Sequence, residues 1–264
     1  MFPYIGGKAH HIRHLDRVFP LEPVDTFVDV FGGAGWVTVR SQASQRAQTR
    51  VYNDANPHLA NIFRWFQQDP RAVLDQLNAW PQQDATLYRQ FQQDIFGTVP
   101  EPAQTATTAA KYLYLEVQSF SGNTLGLNSS VYFDSIHTIK PLLKKLQHVP
   151  TLRSLQSIST VENQDCCAVI NQYDSANSFF YCDPPYYAKE HYYTKSFGRE
   201  RHQDLAHTLQ RIKGRFALSY YEFDELSEWF PRDQYNWHTY SVSKQSSSRR
   251  NKTRGQEVVI TNYA

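Results

Sequence analysis

Apolar and polar positions along this chain fall into two kinds of pattern. Val24 to Val30 (VDTFVDV) is a short run rich in β-branched residues and predicts a buried strand. Phe31-Gly32-Gly33-Ala34-Gly35 comes next, then a helical stretch, then a second strand from Arg50 to Asn53 that ends at Asp54. Asn56-Pro57 marks a helix start, because proline at the first helical position gives up no needed hydrogen bond. From there the periodicity is helical. His58 to Gln68, Arg71 to Trp80, Ala85 to Phe96 and Thr105 to Phe120 predict helices, separated by Pro70, Pro81 and the Pro100/Pro102 segment. Gly122-Asn123-Thr124-Leu125-Gly126 breaks the last of them and heads a loop or hairpin. A further helix is predicted from Pro141 to Gln147.

Strand and helix patterns then alternate again. Leu155 to Val161, Phe179 to Cys182, Arg215 to Tyr220, Trp237 to Val242 and Glu257 to Asn262 predict strands. Cys166 to Gln172, Arg201 to Ile212 and Phe223 to Phe230 predict helices between them. Alternation of this kind implies a mostly parallel sheet. The predicted organisation is an α/β domain formed by residues 1–56 and 148–264, interrupted by a helical insertion at 57–147.

Composition narrows the class. The 264 residues are 41% hydrophobic and 14% aromatic, enough for a substantial core. No apolar run approaches the ~18 residues that cross a bilayer, and Met1 to Lys8 has no apolar leader segment, so a cytoplasmic protein is expected. Cys166, Cys167 and Cys182 form neither a disulfide framework nor zinc spacing, and the ten histidines are scattered, so no metal is expected. The net charge of +2 is mild. Its distribution says more: Lys244, Arg249, Arg250, Lys252 and Arg254 cluster among serines. That cluster is either a solvated basic loop or a contact for phosphate oxygens.

Candidate chemistry concentrates at strand ends. Asp183-Pro184-Pro185-Tyr186 succeeds the apolar run Phe179 to Cys182, and two prolines stop a strand and stiffen the turn at its end. A carboxylate and an aromatic ring are thereby presented where ligands of open α/β sheets bind. They suit a planar base gripped by its exocyclic amine and its π face. The glycine turn after Asp29 permits close backbone approach to a ligand. Asp54, at the end of the second strand, is placed to accept hydrogen bonds from ribose hydroxyls, as in a dinucleotide or in S-adenosylmethionine. Tyr4-Ile5-Gly6-Gly7-Lys8 is a second glycine element, without P-loop spacing. Asp165 sits between a strand and a helix, either as a helix cap or as an acceptor for an adenine amine.

Taken together, Tyr4 to Lys8 (YIGGK), Phe27 to Gly35 (FVDVFGGAG), Tyr52 to Pro57 (YNDANP), Asp165 and Asp183 to Tyr186 (DPPY) resemble the Dam-type DNA adenine-N6 methyltransferases. Leu218-Ser219-Tyr220 and Arg249-Arg250 match more weakly. The resemblance covers nearly the whole chain. It implies a Rossmann-like S-adenosylmethionine-dependent methyltransferase sheet in which the helical insertion is the target-recognition domain. It also implies methyl transfer from S-adenosylmethionine to a flipped adenine in double-stranded DNA, leaving S-adenosylhomocysteine. Implied cofactor-site residues are Tyr4, Gly6, Gly7, Lys8, Asp29, Phe31, Gly33, Asp54, Asp165 and Asp183. Implied catalytic residues are Asp183, Pro184 and Tyr186, with Tyr187 as a further pocket wall or a core residue.

The recognition segment departs from the family pattern. GATC-methylating members carry a base-reading arginine there, whereas no Lys or Arg lies between Lys111 and Lys140. Guanine is most often read by such a side chain, so a GATC site is not expected. Gln118, Gly122, Asn123 and Asn128, with Lys244, Arg249 and Arg250, are the candidate DNA contacts. Cytosine-N4 methylation uses the same geometry, usually with serine in place of the acid, and a catalytically lapsed DNA-binding relative would keep the fold. A monomer is expected, with a cognate restriction endonuclease as partner if the chain is restriction-associated.

Overall fold

The computed structural model describes residues 1–4, 6–97, 103–119, 127, 139–187, 197–243 and 254–264, with backbone alone at 242–243 and 254–255. In chain order the first part comprises α1 (Ile12–Val18), β1 (Thr26–Asp29), α2 (Trp36–Arg40), α3 (Gln42–Arg46) and β2 (Thr49–Asn53). The helical part comprises α4 (Pro57–Gln68), α5 (Pro70–Ala79), α6 (Ala85–Phe96), α7 (Ala106–Gln118), α8 (Ile139–Leu146) and α9 (Val149–Gln156). The last part comprises β3 (Thr160–Glu162), α10 (Cys166–Tyr173), β4 (Ser178–Cys182), α11 (Arg199–Leu209), β5 (Arg215–Tyr221), α12 (Asp224–Trp229), β6 (Asn236–Ser243) and β7 (Arg254–Thr261).

The strands form one sheet in the order β3-β2-β1-β4-β5-β7-β6. The first five are parallel, and β7 runs antiparallel between β5 and β6. Side-chain alternation along the central strands builds two cores, as a period of two requires. Val28, Val30, Phe180 and Cys182 face α10, α11 and α12. Phe27, Phe179 and Tyr181 face the other way, against Leu15, Phe19, Val37 and Ala43 of the N-terminal helical layer. Both faces being covered explains why β4 is buried at every position.

The helical part is punctuated as its prolines and capping residues dictate. Asn56, Asp69 and Asp84 cap α4, α5 and α6 through backbone N–H groups, and Pro57 and Pro70 occupy the first turns of α4 and α5. Thr105 and Thr108 close a reciprocal capping box at α7. These helices bury Leu59, Phe63, Val73, Leu77, Phe91 and Leu113 in a core continuous with Phe2, Tyr52 and Val161. α4 therefore ties the helical part directly to the sheet edge.

Two elements differ from the sequence expectation. Within the strand predicted at Leu155 to Val161, Leu155 and Gln156 end helix α9, and strand begins only at Thr160 and runs to Glu162. Pro150 starts the helix in its first turn, and Leu155 is buried beneath it. The apolar run thus served a helix end and a short edge strand together. Helix α1 carries no predictive stripe, because Leu15 is its one buried residue.

Arg50 on β2 locks the sheet to its neighbours. Its Nε donates to Ser44 Oγ at 3.1 Å and its Nη2 to Ser154 Oγ at 3.1 Å, while Ser157 Oγ and the carbonyls of Thr38 and Ser154 accept from the rest of the fork. Burial among neutral acceptors lowers its pKa to about 10. Arg50→Leu is expected to cost about 2–3 kcal/mol of stability, because five charge-assisted hydrogen bonds go at once. Urea unfolding measures this; a midpoint within error of the wild type would show that the fork carries no net stability.

Candidate active site

The site lies where the chain reverses direction across the sheet. β1 pairs with β2 on one side and β4 on the other, with Asp29 level with both Tyr52 and Tyr181. The loops leaving these strands diverge and open a crevice, the usual ligand position in such sheets. A cleft of about 330 Å³ fills it.

The glycine turn forms one wall. Gly32 N–H donates to Asn53 O at 2.7 Å, Gly35 N–H to Gly32 O at 2.8 Å, and Tyr52 Oη to Gly33 O at 2.7 Å. A Cβ on Gly32 would fall 2.2 Å from the Tyr52 ring, and Gly35 holds φ +68° with Phe63 against it. Only glycine fits either position without displacing a buried ring. Asp54 sits half-buried beside the turn and accepts from Gly33 N–H and Asn56 N–H, each at 2.8 Å. Asp29, beneath the turn, accepts from Thr38 N–H and Thr38 Oγ1. Burial raises its pKa to about 7, with the nearby charges of Asp183 and Asp54 adding to the rise and the Thr38 hydrogen bonds opposing it.

The N-terminal element folds over this wall. Gly7 N–H donates to Tyr4 O at 3.0 Å, closing a turn with Gly6 at φ +74°, and the Tyr4 ring packs against Gly33. Lys8 then reaches the end of β4. Its Nζ lies 3.0 Å from Asp183 Oδ1 and 3.7 Å from Glu257 Oε2, and donates to Tyr186 Oη at 2.6 Å. Burial disfavours this ammonium, but Asp183 and Glu257 outweigh it and raise the Lys8 pKa. Asp183 is raised chiefly by burial, with Lys8 opposing and Glu257 adding to the rise. Glu257 is driven down to about 2: burial works against that, but the charge of Lys8 and contacts from His11 and Tyr240 prevail. The Tyr186 ring packs edge-on to Tyr221 at 4.5 Å. Tyr187 stacks on Phe223 at 4.7 Å and donates to Glu225 Oε1.

All ten residues expected at a cofactor site, Tyr4, Gly6, Gly7, Lys8, Asp29, Phe31, Gly33, Asp54, Asp165 and Asp183, line this one cleft. Asp165 caps α10 through Cys167 N–H and Ala168 N–H, and its other oxygen pairs with Arg201. It thus fills the cap role and stands at the cleft as well. With Cys166 and Cys167 it brings three ligand-type atoms within 4.8 Å, but contact with Cys167 and burial raise the pKa of the Cys166 thiol, which opposes the deprotonation that a metal ligand needs. The side-chain-free turn, the half-buried Asp54 and the flanking rings of Tyr4 and Phe31 fit an adenosyl group with a ribose.

Sequence reasoning missed Glu257, His11, Tyr240 and Arg201. Glu257 carried one available signal, a carboxylate opening an otherwise apolar closing strand. One candidate DNA contact is corrected: Gln118 is buried rather than at the surface. It is 0% exposed, and its amide donates to Gln82 O in the turn between α5 and α6, so it is not offered to a base there. Gly122, Asn123, Asn128, Lys244, Arg249 and Arg250 lie outside the described residues.

The strand order and this crevice define an S-adenosylmethionine-dependent methyltransferase fold. Residues 4–246 match the family described as D12 class N6 adenine-specific DNA methyltransferase, and the chain belongs to that family. It is also similar to the modification methylase StsI of Streptococcus sanguinis, at 26% identity over 299 aligned positions that cover 98% of this chain. The chain spans 42% of that relative's length. The family's description names adenine N6 in DNA, and methyltransferases in general use S-adenosylmethionine. No helix among the described residues is long and apolar enough to cross a membrane.

Proposed function

We propose that this chain methylates the N6 amine of an adenine flipped out of double-stranded DNA, with Asp183, Pro184 and Tyr186 as its catalytic residues. The observation that carries the reading is the state of Asp183. Its Oδ1 is held by Lys8, its Oδ2 has no hydrogen-bond partner among the described residues, and the residue lines the cleft. An unpartnered carboxylate oxygen on a cleft-lining residue, three positions before an aromatic ring, is what an exocyclic amine requires.

Each residue's role derives from that placement. Asp183 Oδ2 accepts one N–H of the adenine amine and the carbonyl of Pro184 accepts the other. Both bonds favour a pyramidal nitrogen with an available lone pair, which a conjugated amine otherwise lacks. Tyr186 offers a stacking face, worth roughly 1–3 kcal/mol against the cost of unstacking the base. S-adenosylmethionine supplies an electrophilic methyl group on a positively charged sulfur. Asp54 is proposed to hold its ribose, Asp165 its adenine, and Tyr4, Gly33 and Phe31 the walls around it. The protein's contribution is chiefly positioning and prearranged acceptors.

The helical segment 57–147 is proposed to read the DNA sequence, with the basic stretch near Arg249 and Arg250 on phosphates. Similarity to a modification methylase supports a cognate restriction endonuclease as partner, and a cytoplasmic monomer completes the proposal. Base-resolved methylation sequencing of DNA from cells expressing this chain tests the reading. N6-methyladenine in one sequence context is expected. N4-methylcytosine, or no modified base, would overturn it.

A further inference from the structure

Lys8 is shared between two acids, and only one of them has a use in the reaction proposed above. Glu257 opens the apolar part of β7, is 3% exposed, and stands level with Tyr221 of β5. Its Oε2 is 3.7 Å from Lys8 Nζ, 3.1 Å from His11 Nδ1 and accepts from Tyr240 Oη at 2.8 Å. Three groups from the N-terminal element and β6 thus fix one buried carboxylate behind the lysine. Buried charges are not retained without partners, and a lysine facing Asp183 alone would already have one. The second acid is surplus to simple neutralisation.

Its effect on Asp183 is chemical. An ammonium devoted wholly to Asp183 would draw that carboxylate into a tight ion pair and weaken it as an acceptor. An ammonium drawn partly towards Glu257 still orients Oδ1 but leaves more charge on the carboxylate. We propose that Glu257 is a positioning residue for the catalytic acid: it shares Lys8 with Asp183, holds the lysine at Oδ1, and leaves Oδ2 a strong acceptor for the target amine. This rests on the functional reading above, since it assigns Asp183 to that amine.

The groups facing this cluster are Asp29 of β1, Tyr181 of β4, Asp183 and Tyr186 after β4, Tyr221 of β5, Tyr240 of β6, Glu257 of β7, and His11 before α1. Glu257 raises the pKa of both Lys8 and Asp183. Removing its charge makes both lose protons more readily, so both limbs of the pH–activity profile move to lower pH. A residue that merely holds β7 in place would lower activity without moving either limb.

The test compares wild type, Glu257→Gln and Glu257→Asp for methyl transfer to DNA across pH, with S-adenosylmethionine affinity measured separately. Glu257→Gln is expected to lower kcat roughly 10- to 100-fold, the usual effect of removing a group that orients a reacting one. Both limbs should shift down by on the order of one pH unit, with cofactor affinity within about twofold. Glu257→Asp keeps the charge one methylene further away and should fall between the two. Limbs that do not move, whatever happens to kcat, would overturn the proposal. An NMR titration of the Lys8 side chain gives the same answer without turnover: its midpoint should fall in Glu257→Gln, and an unmoved midpoint overturns the sharing of Lys8. A wild type that leaves adenine unmethylated, while the Lys8 midpoint does fall, would sink the functional reading and leave the shared lysine standing.

Discussion

Asp183→Ala is expected to lower the rate of methyl transfer by about 10³-fold or more, the scale on which losing a prearranged polar group at a reacting centre is felt. Its Oδ1 meets Lys8 at 3.0 Å, and its Oδ2 has no partner among the described residues. Removing the carboxylate therefore removes the only proposed acceptor that carries charge. The lysine keeps Glu257 and the Tyr186 hydroxyl as partners, so the variant should fold. Cofactor binding should survive, because the glycine turn and Asp54 are untouched. Asp183→Asn retains one acceptor without charge and should lie between alanine and wild type. Isothermal titration with S-adenosylmethionine and a labelled-methyl assay separate binding from transfer. Transfer by Asp183→Ala within about tenfold of wild type would remove Asp183 from the mechanism.

Gly32→Ala is expected to cost about 2–3 kcal/mol of stability and to weaken cofactor binding by about tenfold or more. The added methyl would sit 2.2 Å from Tyr52 Cε2. Tyr52 cannot swing away cheaply: its ring stacks on Phe63 at 3.9 Å, and its hydroxyl holds Gly33 O. The turn must move instead, and with it the Gly33 N–H that donates to Asp54. Strain in the fold and displacement of Asp54, the proposed ribose acceptor, are thus one event. Gly198→Ala is the matched control, since a Cβ there meets nothing within 4 Å. It should change stability by less than about 1 kcal/mol. Thermal melts with and without S-adenosylmethionine read both effects. Equal ligand-induced shifts in Gly32→Ala and wild type would detach the turn from cofactor binding.

These two positions also show what a linear reading can reach. The turn at Gly32 and the acid at Asp183 were legible because each is a local motif: a strand, a stop and a reactive group within a few residues. The α/β alternation and the helical interruption were legible for the same reason, since periodicity and capping act over one element at a time. The three-residue β3 was not, because Leu155 belongs to a helix while Val161 belongs to a strand, and apolar periodicity alone cannot divide so short a run. Gln118 was misplaced because a polar residue near a helix end suggests surface, whereas packing of α7 within the helical core leaves it no exposure.

The order of amino acids was enough to set the chemistry available: an acid on a proline-stiffened turn, a glycine turn that lets a ligand approach, and an acid at the next strand's end. Those features arise from backbone sterics and strand termination, which neighbouring residues dictate. Which charges share the site was settled by the folding of the whole chain. Because β7 runs antiparallel to β5, the beginning of that strand arrives at the edge where the parallel strands end, and Glu257 comes level with Tyr221. The N-terminal turn carries Lys8 across to the same edge. A strand's direction is fixed by how the whole sheet pairs, so no local pattern could place Glu257 behind Lys8, or Lys8 against Asp183.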